Sequence, residues 1–542
     1  MLTTTTHAAI NISTQPTQNM SCSGGVCTAT AQKAYLNVND LTTMLAAGDL
    51  KVVSGAGAED IHIQAPFSWT STSRLTLDAQ RSIEFEKPVS VAGTGALTLI
   101  TNDGGTGGDY WFDEGASVTF WDTSSSLIIN GQSFTLVKDI KTLALKIASK
   151  PSKNYALARD FNARQDGAYS ASPISASFAG QFDGLGNQIS NLTIKPRPNY
   201  YPAALFAELR SKASVSNLKM KTVRVRSSAG ATALALSNGG RVNRVSASEI
   251  DMRGYTAAGL IFHNSGIISR ATTAGYVKGV YYAGGLVGDN VGVIMDSAAD
   301  VGVETTTPHK HLTPTAGGLT AFNWLGGTIL RSSASGPVNG EMNSALGVLV
   351  GLNYNGSIEQ SYATGLANGD LSYNVGGLVG VLSSDGNGSA SIVNCYAIGP
   401  ATSYGYIGGL VGSATANDGS PLLLTDSYSV GHVTSGSDSA GGFVGFASGS
   451  MAADYWDLDT SGVTDPRRGA DYPRNYPGIQ GLGDTQLKSG LPGGFDPQVW
   501  GQSPDINNGY PYLLANPPPK NAPGKPHIKS PSRTPHHNPA KA

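Results

Sequence analysis

Cysteine is nearly absent from this chain: three in 542 residues cannot build the disulfide scaffold of a small exported domain. Charge is scarce as well. Charged residues make up 14%, and a formal net charge of −2 gives neither nucleic acid nor an anionic membrane an electrostatic footing. No stretch approaches the roughly 20 apolar residues of a membrane helix. The start, Met1-Leu2-Thr3-Thr4-Thr5-Thr6, has neither the basic nor the apolar part of a signal peptide. His-Glu-x-x-His, Gly-x-Ser-x-Gly, a Walker A loop and Cys-x-x-Cys are all missing. In particular, a zinc-protease core has no histidine pair to stand on.

What the chain does contain is repetition. Gly284-Gly285-Leu286-Val287-Gly288 recurs as Gly376-Gly377-Leu378-Val379-Gly380 and Gly408-Gly409-Leu410-Val411-Gly412. Looser copies surround Leu205, Leu234, Leu260, Leu319, Val348 and Phe443. Successive central residues lie 29, 26, 26, 33, 29, 30, 32 and 33 positions apart. A second phrase keeps step: Asp296-Ser297-Ala298, Arg331-Ser332-Ser333, Gln360-Ser361-Tyr362, Asn394-Cys395-Tyr396 and Asp426-Ser427-Tyr428. A period of roughly 30 residues marks a solenoid, whose units cannot bury an apolar face without their neighbours.

Short β-branched segments bounded by Gly, Asn and Asp, such as Gly292-Val293-Ile294-Met295, read as strands; glycine is too frequent for helix interiors. The expected fold is all-β: a β-helix (β-solenoid) with irregular loops and two short helices. Each central Leu should point inward and stack on the next, at about 1.5–3 kcal/mol apiece. The flanking glycines allow sharp corners and close approach of the windings. Differences in repeat length fall in loops such as Thr305–Thr315 and Ala414–Pro421.

The expected organisation runs as follows. Residues 1–33 form an N-terminal segment or first coil. Residues 34–137 are further coils, with Ile61-His62-Ile63, Leu75-Thr76-Leu77 and Leu97-Thr98-Leu99 alternating as half-buried strands do. Val118-Thr119-Phe120 and Leu127-Ile128-Ile129-Asn130-Gly131 continue that series. One helix, capped by Asp40, covers Leu41–Ala47 and stops at Gly48; a second covers about Val137–Ser149, with Leu143, Leu145 and Ile147 among lysines. Residues 138–177 bridge to the repeats at 178–450. Residues 451–516, rich in aromatics, cap the last apolar layer, and 517–542 form a disordered basic Pro-rich tail.

Cys22 and Cys27 bracket a turn-like Ser-Gly-Gly-Val, so a hairpin-closing disulfide is the favoured reading over a metal-binding pair. Cys395 takes the slot of Ser297, Ser361 and Ser427 and reads as a small core thiol. Asp457 and Asp459, two apart, are the best carboxylate pair for a polysaccharide lyase or hydrolase, but a cap beside Tyr455 and Trp456 is preferred. Asp296 and Asp426 share one repeat position, solvent-facing and tolerant of any polar group. Asp385-Gly386-Asn387-Gly388 reads as a tight turn rather than a calcium loop, and His309 and His311 as loop histidines. Tyr276, Tyr281, Tyr282, Tyr404 and Tyr406 either stack on sugars or pack between windings. No catalytic residue, metal or cofactor is expected.

The glycine phrase with its Ser-Tyr-Ala partner resembles the GLUG motif of bacterial surface proteins. The lead-in Phe182-Asp183-Gly184-Leu185-Gly186-Asn187 is similar to the segment that precedes such repeats. Leu36-Asn37-Val38-Asn39-Asp40-Leu41, Leu75-Thr76-Leu77-Asp78-Ala79, Gly95-Ala96-Leu97-Thr98-Leu99 and Ile129-Asn130-Gly131-Gln132 resemble large exoproteins of the filamentous haemagglutinin type. The resemblance implies a right-handed β-helix, exported through a two-partner outer-membrane transporter and acting in adhesion. The partner would then be a host or neighbouring cell surface, a glycan or matrix, and the location secreted or outer cell surface. One departure is that the signal peptide and amino-terminal secretion domain of such proteins are not found here. A carbohydrate-active β-helix enzyme and a purely structural stalk are the rival functions.

Overall fold

The structure, a computed structural model, describes residues 8–520 apart from residues 56, 307–312, 342–343, 373, 387 and 437–438. The expectations for residues 1–7, Asn387, His309, His311 and the tail beyond residue 520 lie outside the described residues. The described chain is all-β, about 49% strand, wound as a β-solenoid of about 16 turns. Nearly every ladder is parallel. The three antiparallel ones, Met20–Ser23 with Val26–Ala29, Ser126–Ile129 with Gln132–Val137, and Trp500–Gly501 with Tyr512–Leu513, punctuate the molecule.

The middle one divides it. Asn130 and Gly131 both adopt positive φ, 47° and 77°, which makes the tight hairpin that an Asn-Gly pair favours. Ser126–Ile129 closes one parallel stack, pairing with Ala96–Ile100, while Gln132–Val137 opens another, pairing with Tyr155–Leu157. The strands on either side of residues 130–131 therefore run in opposite senses, as two solenoids joined end to end. The series continues as expected through Val118–Phe120 and Ser126–Ile129, and the chain reverses after it. Two separate apolar cores follow, one centred on Ile10–Leu136 and one on Val137–Ala470. Across the join, Asn187 Nδ2 donates to the carbonyls of Val118 and Leu157 at 2.8 and 3.0 Å. Buried Asp183 accepts from Tyr110, Ser216 and Asn217.

The far end of the first solenoid is closed by the hairpin Met20–Ala29, pinned by a Cys22–Cys27 disulfide, and by α1 (Val38–Ala47). An antiparallel bridge from Gln18 to Tyr35 covers an otherwise open edge. The cap of α1 is Asn37, whose side chain accepts from Asn39 N; Asp40 lies inside the first turn, so its assignment as the cap is corrected. The second helix, α2 (Ile140–Ser149), starts later than expected because Asp139 caps it through Thr142 N. It buries Ile140, Leu143 and Ile147, while Leu145 is 74% exposed, on the opposite side. A third helix, α3 (Asp484–Lys488), was not anticipated.

In the second solenoid Leu205, Leu234, Leu260, Leu286, Leu319, Leu378, Leu410 and Phe443 are all fully buried and linked winding to winding by backbone hydrogen bonds. One position needs correction. Leu319 N donates to Leu349 O, and Leu349 N to Leu378 O, so Leu349 occupies the column and Val348 sits one residue earlier, where other windings place glycine. The glycines are there for space. A Cβ on Gly376 would lie 2.0 Å from Val379 O, and one on Gly377 2.2 Å from Gly409 O on the next winding. The second phrase also has a defined geometry. Its leading residue (Asp296, Arg331, Gln360, Asn394, Asp426) holds φ between 45° and 53°, turning the chain outward at a corner. Its small residue then accepts a backbone N–H from the preceding winding: Ser297 N to Ser332 Oγ, Ser332 N to Ser361 Oγ, Cys395 N to Ser427 Oγ.

The segment expected as an end cap divides into two parts. Trp456, fully buried, fills the interior at the last windings against Gly442, Gly469 and Gly481. Residues 483–516 instead run back along the flank as a strap. Trp500, Phe495 and Tyr510 pack on the stacked rings of Tyr362, Tyr396 and Tyr428, and Asn516 Nδ2 reaches Ser332 O and Gln360 O.

Candidate functional site

Each glycine phrase joins a strand of one ladder to a strand of another, as Asn374–Gly376 to Val379–Ser384, and the outer face of these two ladders runs along the rod. In the early windings it is lined by aromatics. Tyr255 stacks on Tyr281 at 5.9 Å, Phe262 meets Tyr282 at 5.7 Å, Tyr282 stands edge-on to Phe322 at 5.2 Å, and Phe322 stacks on Trp324 at 5.3 Å. Beside them the segment at 199–202, held by Ser227 Oγ on the carbonyls of Asn199 and Tyr201, presents Tyr200 and Tyr201, with their rings 4.7 Å apart. Tyr200, Tyr201 and Tyr255 are 63%, 55% and 40% exposed. Pro202, Gly230, Leu236, Tyr255, Phe262 and His263 enclose an open groove of about 440 Å³.

One charged pair sits in this face. Ser237, His263 and Asp289 occupy the same register position on consecutive windings, and His263 Nδ1 bonds the Asp289 carboxylate. That bond is the main reason the imidazole is held more basic than usual. Burial raises the Tyr282 hydroxyl, and the Asp289 charge adds to this. The pair is a fixed polar feature of the groove wall.

A second feature went unread in the sequence. Asn238, Asn264, Asn290, Asn323 and Asn353, all fully buried, form a ladder in which each Nδ2 donates to the next Oδ1 at 2.6–2.8 Å. Each stands two to four residues ahead of a glycine, as in Asn238-Gly239-Gly240 and Asn264-Ser265-Gly266, and that recurrence was the available signal. The ladder is structural and keeps the groove windings in register.

The other residues singled out in the sequence are placed as follows. Asp457 is fully buried, accepting from Asp459 N, Thr460 N and Tyr510 Oη. Asp459 accepts from Asp484 N. Both therefore anchor the strap, and neither is part of an open cleft. Asp296 pairs with Arg331 at 2.6 Å. Asp385 accepts from Asn355 Nδ2 at 2.7 Å, and its carbonyl takes Gly388 N at 3.0 Å in a turn. Cys395 is fully buried, and burial pushes its thiol up to about 12. Tyr276 bonds Glu304 under the Arg253 guanidinium, away from the aromatic groove. His62, Glu84 and Glu86 bring ligand atoms within 4.8 Å of one another, yet His62–Glu84 and Gln64–Glu86 already pair across neighbouring strands. No helix among the described residues is long and apolar enough to cross a membrane.

The GLUG motif family matches residues 342–368, which span one winding of the second solenoid. No curated protein matches the chain. Among solved structures, the chain is similar to an IgA1 protease at 18% identity and a TM-score of 0.34, covering 53% of this chain and 21% of that one. It is also similar to a "putative immunoglobulin A1 protease from Bacteroides ovatus" at 14% identity and a TM-score of 0.32, covering 71% of this chain and 93% of that one. The chain thus spans about a fifth of the length of the first of these. It is a β-solenoid that carries a GLUG motif.

Proposed function

We propose that this protein is a non-enzymatic, adhesin-like exoprotein of the filamentous haemagglutinin type, secreted or displayed on the outer cell surface. In this reading a two-partner outer-membrane transporter exports it, and the rod attaches to glycan on a host cell, neighbouring cell or matrix. The observation that carries the reading is the aromatic groove. Exposed Tyr255 lines the groove with His263, which pairs with Asp289, and exposed Tyr200 and Tyr201 precede Pro202 of its wall; flat rings with a polar pair suit a sugar's apolar face and polar rim. A stiff repeat rod also multiplies weak contacts along its length. The near-neutral chain gives no case for nucleic acid as partner.

Binding of the full chain to a glycan array, compared with Tyr255→Ala and Tyr200→Ala, tests this. Each variant should lose roughly two- to tenfold in affinity if a ring–ligand contact is removed. Unchanged binding by both variants, or cleavage of the bound glycan, would overturn it.

A further inference from the structure

The two outward columns that build the groove do not end there. In one, Tyr282 pairs with Thr315, and the column passes Ala345 and Asn374 to Tyr406. In the other, Phe322 is followed by Leu352, Val381 and Ser413, then by Phe446 and Tyr472. A second aromatic cluster therefore occupies the same two columns as the first. Tyr406 lies 5.6 Å from Phe446, which stacks on Tyr472 at 5.8 Å. Tyr406 and Tyr472 are 43% and 62% exposed. Four strand spacings separate Tyr282 from Tyr406, roughly 19 Å along the rod. Between the clusters Thr315, Ala345 and Ser413 are buried and Leu352, Val381 and Asn374 are half-buried, so among the described residues of the two columns no ring stands between the clusters. From Thr256 and His263 onward, the described residues of these columns include no Lys, Arg or Glu, and the one His and one Asp, His263 and Asp289, pair with each other.

We propose that the two clusters are subsites for one uncharged linear polysaccharide chain laid along the rod. This rests on the glycan reading above and specifies its ligand. Recurrent flat rings on a straight track match a polymer that repeats its own apolar faces, whereas a compact terminal glycan could engage only one cluster. The lack of unpaired charge complements a neutral chain, since a sulfated glycan or nucleic acid would need basic residues that the columns lack. An added peptide strand would need a free sheet edge, and both columns lie within continuous parallel ladders.

The test uses the full chain with uncharged β-glucan, mannan and chitin oligosaccharides of two to eight units (a chosen range, roughly spanning one cluster to both), their parent polymers, and heparin, measured by calorimetry. The best neutral polymer should bind about a hundredfold more tightly than its disaccharide, because the second subsite engages intramolecularly. Tyr472→Ala should remove most of that gain and lower the disaccharide stoichiometry from two sites to one, while Tyr472→Phe should retain both. Polymer binding that is independent of chain length, or unaffected by Tyr472→Ala, would overturn the two-subsite proposal while leaving the glycan reading intact. Preference for heparin would overturn the neutral ligand. No binding to any probe would sink the glycan reading itself.

Discussion

The two solenoids solve the same problem with different materials. The first fills its interior with bulk: Phe67, Trp69, Phe85 and Phe120 are buried, and its windings vary, with 22 residues from Phe67 to Val89 and 29 from Val89 to Val118. The second fills its middle windings with Leu, Val, Ala and Gly and holds register with asparagine and serine ladders. It reserves large rings for its ends, with Phe178, Phe182 and Phe206 at one and Phe443 and Trp456 at the other. Winding length varies as much in the second, from 26 to 33 residues between central positions, so the contrast lies in what fills the interior. A slim interior demands that every winding present the same residue at the same place. The outer face gains from that regularity, since only a regular rod can align aromatic side chains in straight columns.

Several substitutions would sharpen or break this contrast. The largest effect is expected from Leu378→Ala in the central column, which should destabilise by about 2–5 kcal/mol. Urea unfolding with hydrogen exchange resolved by region should place the loss in residues 132–482; an equal loss across both solenoids would mean that they unfold as one unit. Asn290→Ala removes the acceptor of Asn264 and the donor to Asn323, and should cost about 1–3 kcal/mol by leaving buried amide groups short of partners. The same measurement on a Leu-for-Asn swap at this position would show whether the ladder or mere packing holds the register. Reducing Cys22–Cys27, or replacing both by Ser, should cost about 2 kcal/mol given so short a loop. That loss should appear only in the first solenoid, since Cys395 is unpaired.

The smallest effect, about 1 kcal/mol, concerns Asp454, which takes the slot of the serine ladder with Oδ2 buried and unpartnered. Burial holds its carboxyl well above the usual range. The folded state therefore binds this proton more tightly than the unfolded state does. The stability it contributes is complete below about pH 4 and is lost as pH rises through the folded value. Asp454→Ser should raise the thermal midpoint at pH 7 and leave it nearly unchanged at pH 3.5, a condition chosen to lie at or just below the unfolded carboxyl range. An equal shift at both pH values would remove the carboxyl's burial as the cause.

Much of the second solenoid was legible because its phrases repeat, and repetition averages out local ambiguity. The slip at Val348 shows the limit. Gly347-Val348-Leu349-Val350-Gly351 can be aligned on either apolar residue, and only the backbone pairing to Leu319 and Leu378 decides between them. The strands before Asn130-Gly131 do continue the series; the reversal after them, which an Asn-Gly pair signals, went unread. Of the aromatic face, Tyr281 and Tyr282 were singled out, but Tyr200, Tyr201, Tyr255 and Phe262 were not. Tyr255 and Phe262 meet Tyr281 and Tyr282 of the next winding only when the rod is wound.

The sequence by itself determined the architecture, because a repeat of glycine, leucine and serine positions has one economical way to bury its apolar side chains and pair its backbone. Tertiary structure alone decided the strap along the tyrosine flank and the alignment of aromatic columns. Those features depend on contacts between residues tens to nearly two hundred positions apart, such as Asn516 on Ser332, and no local propensity encodes them.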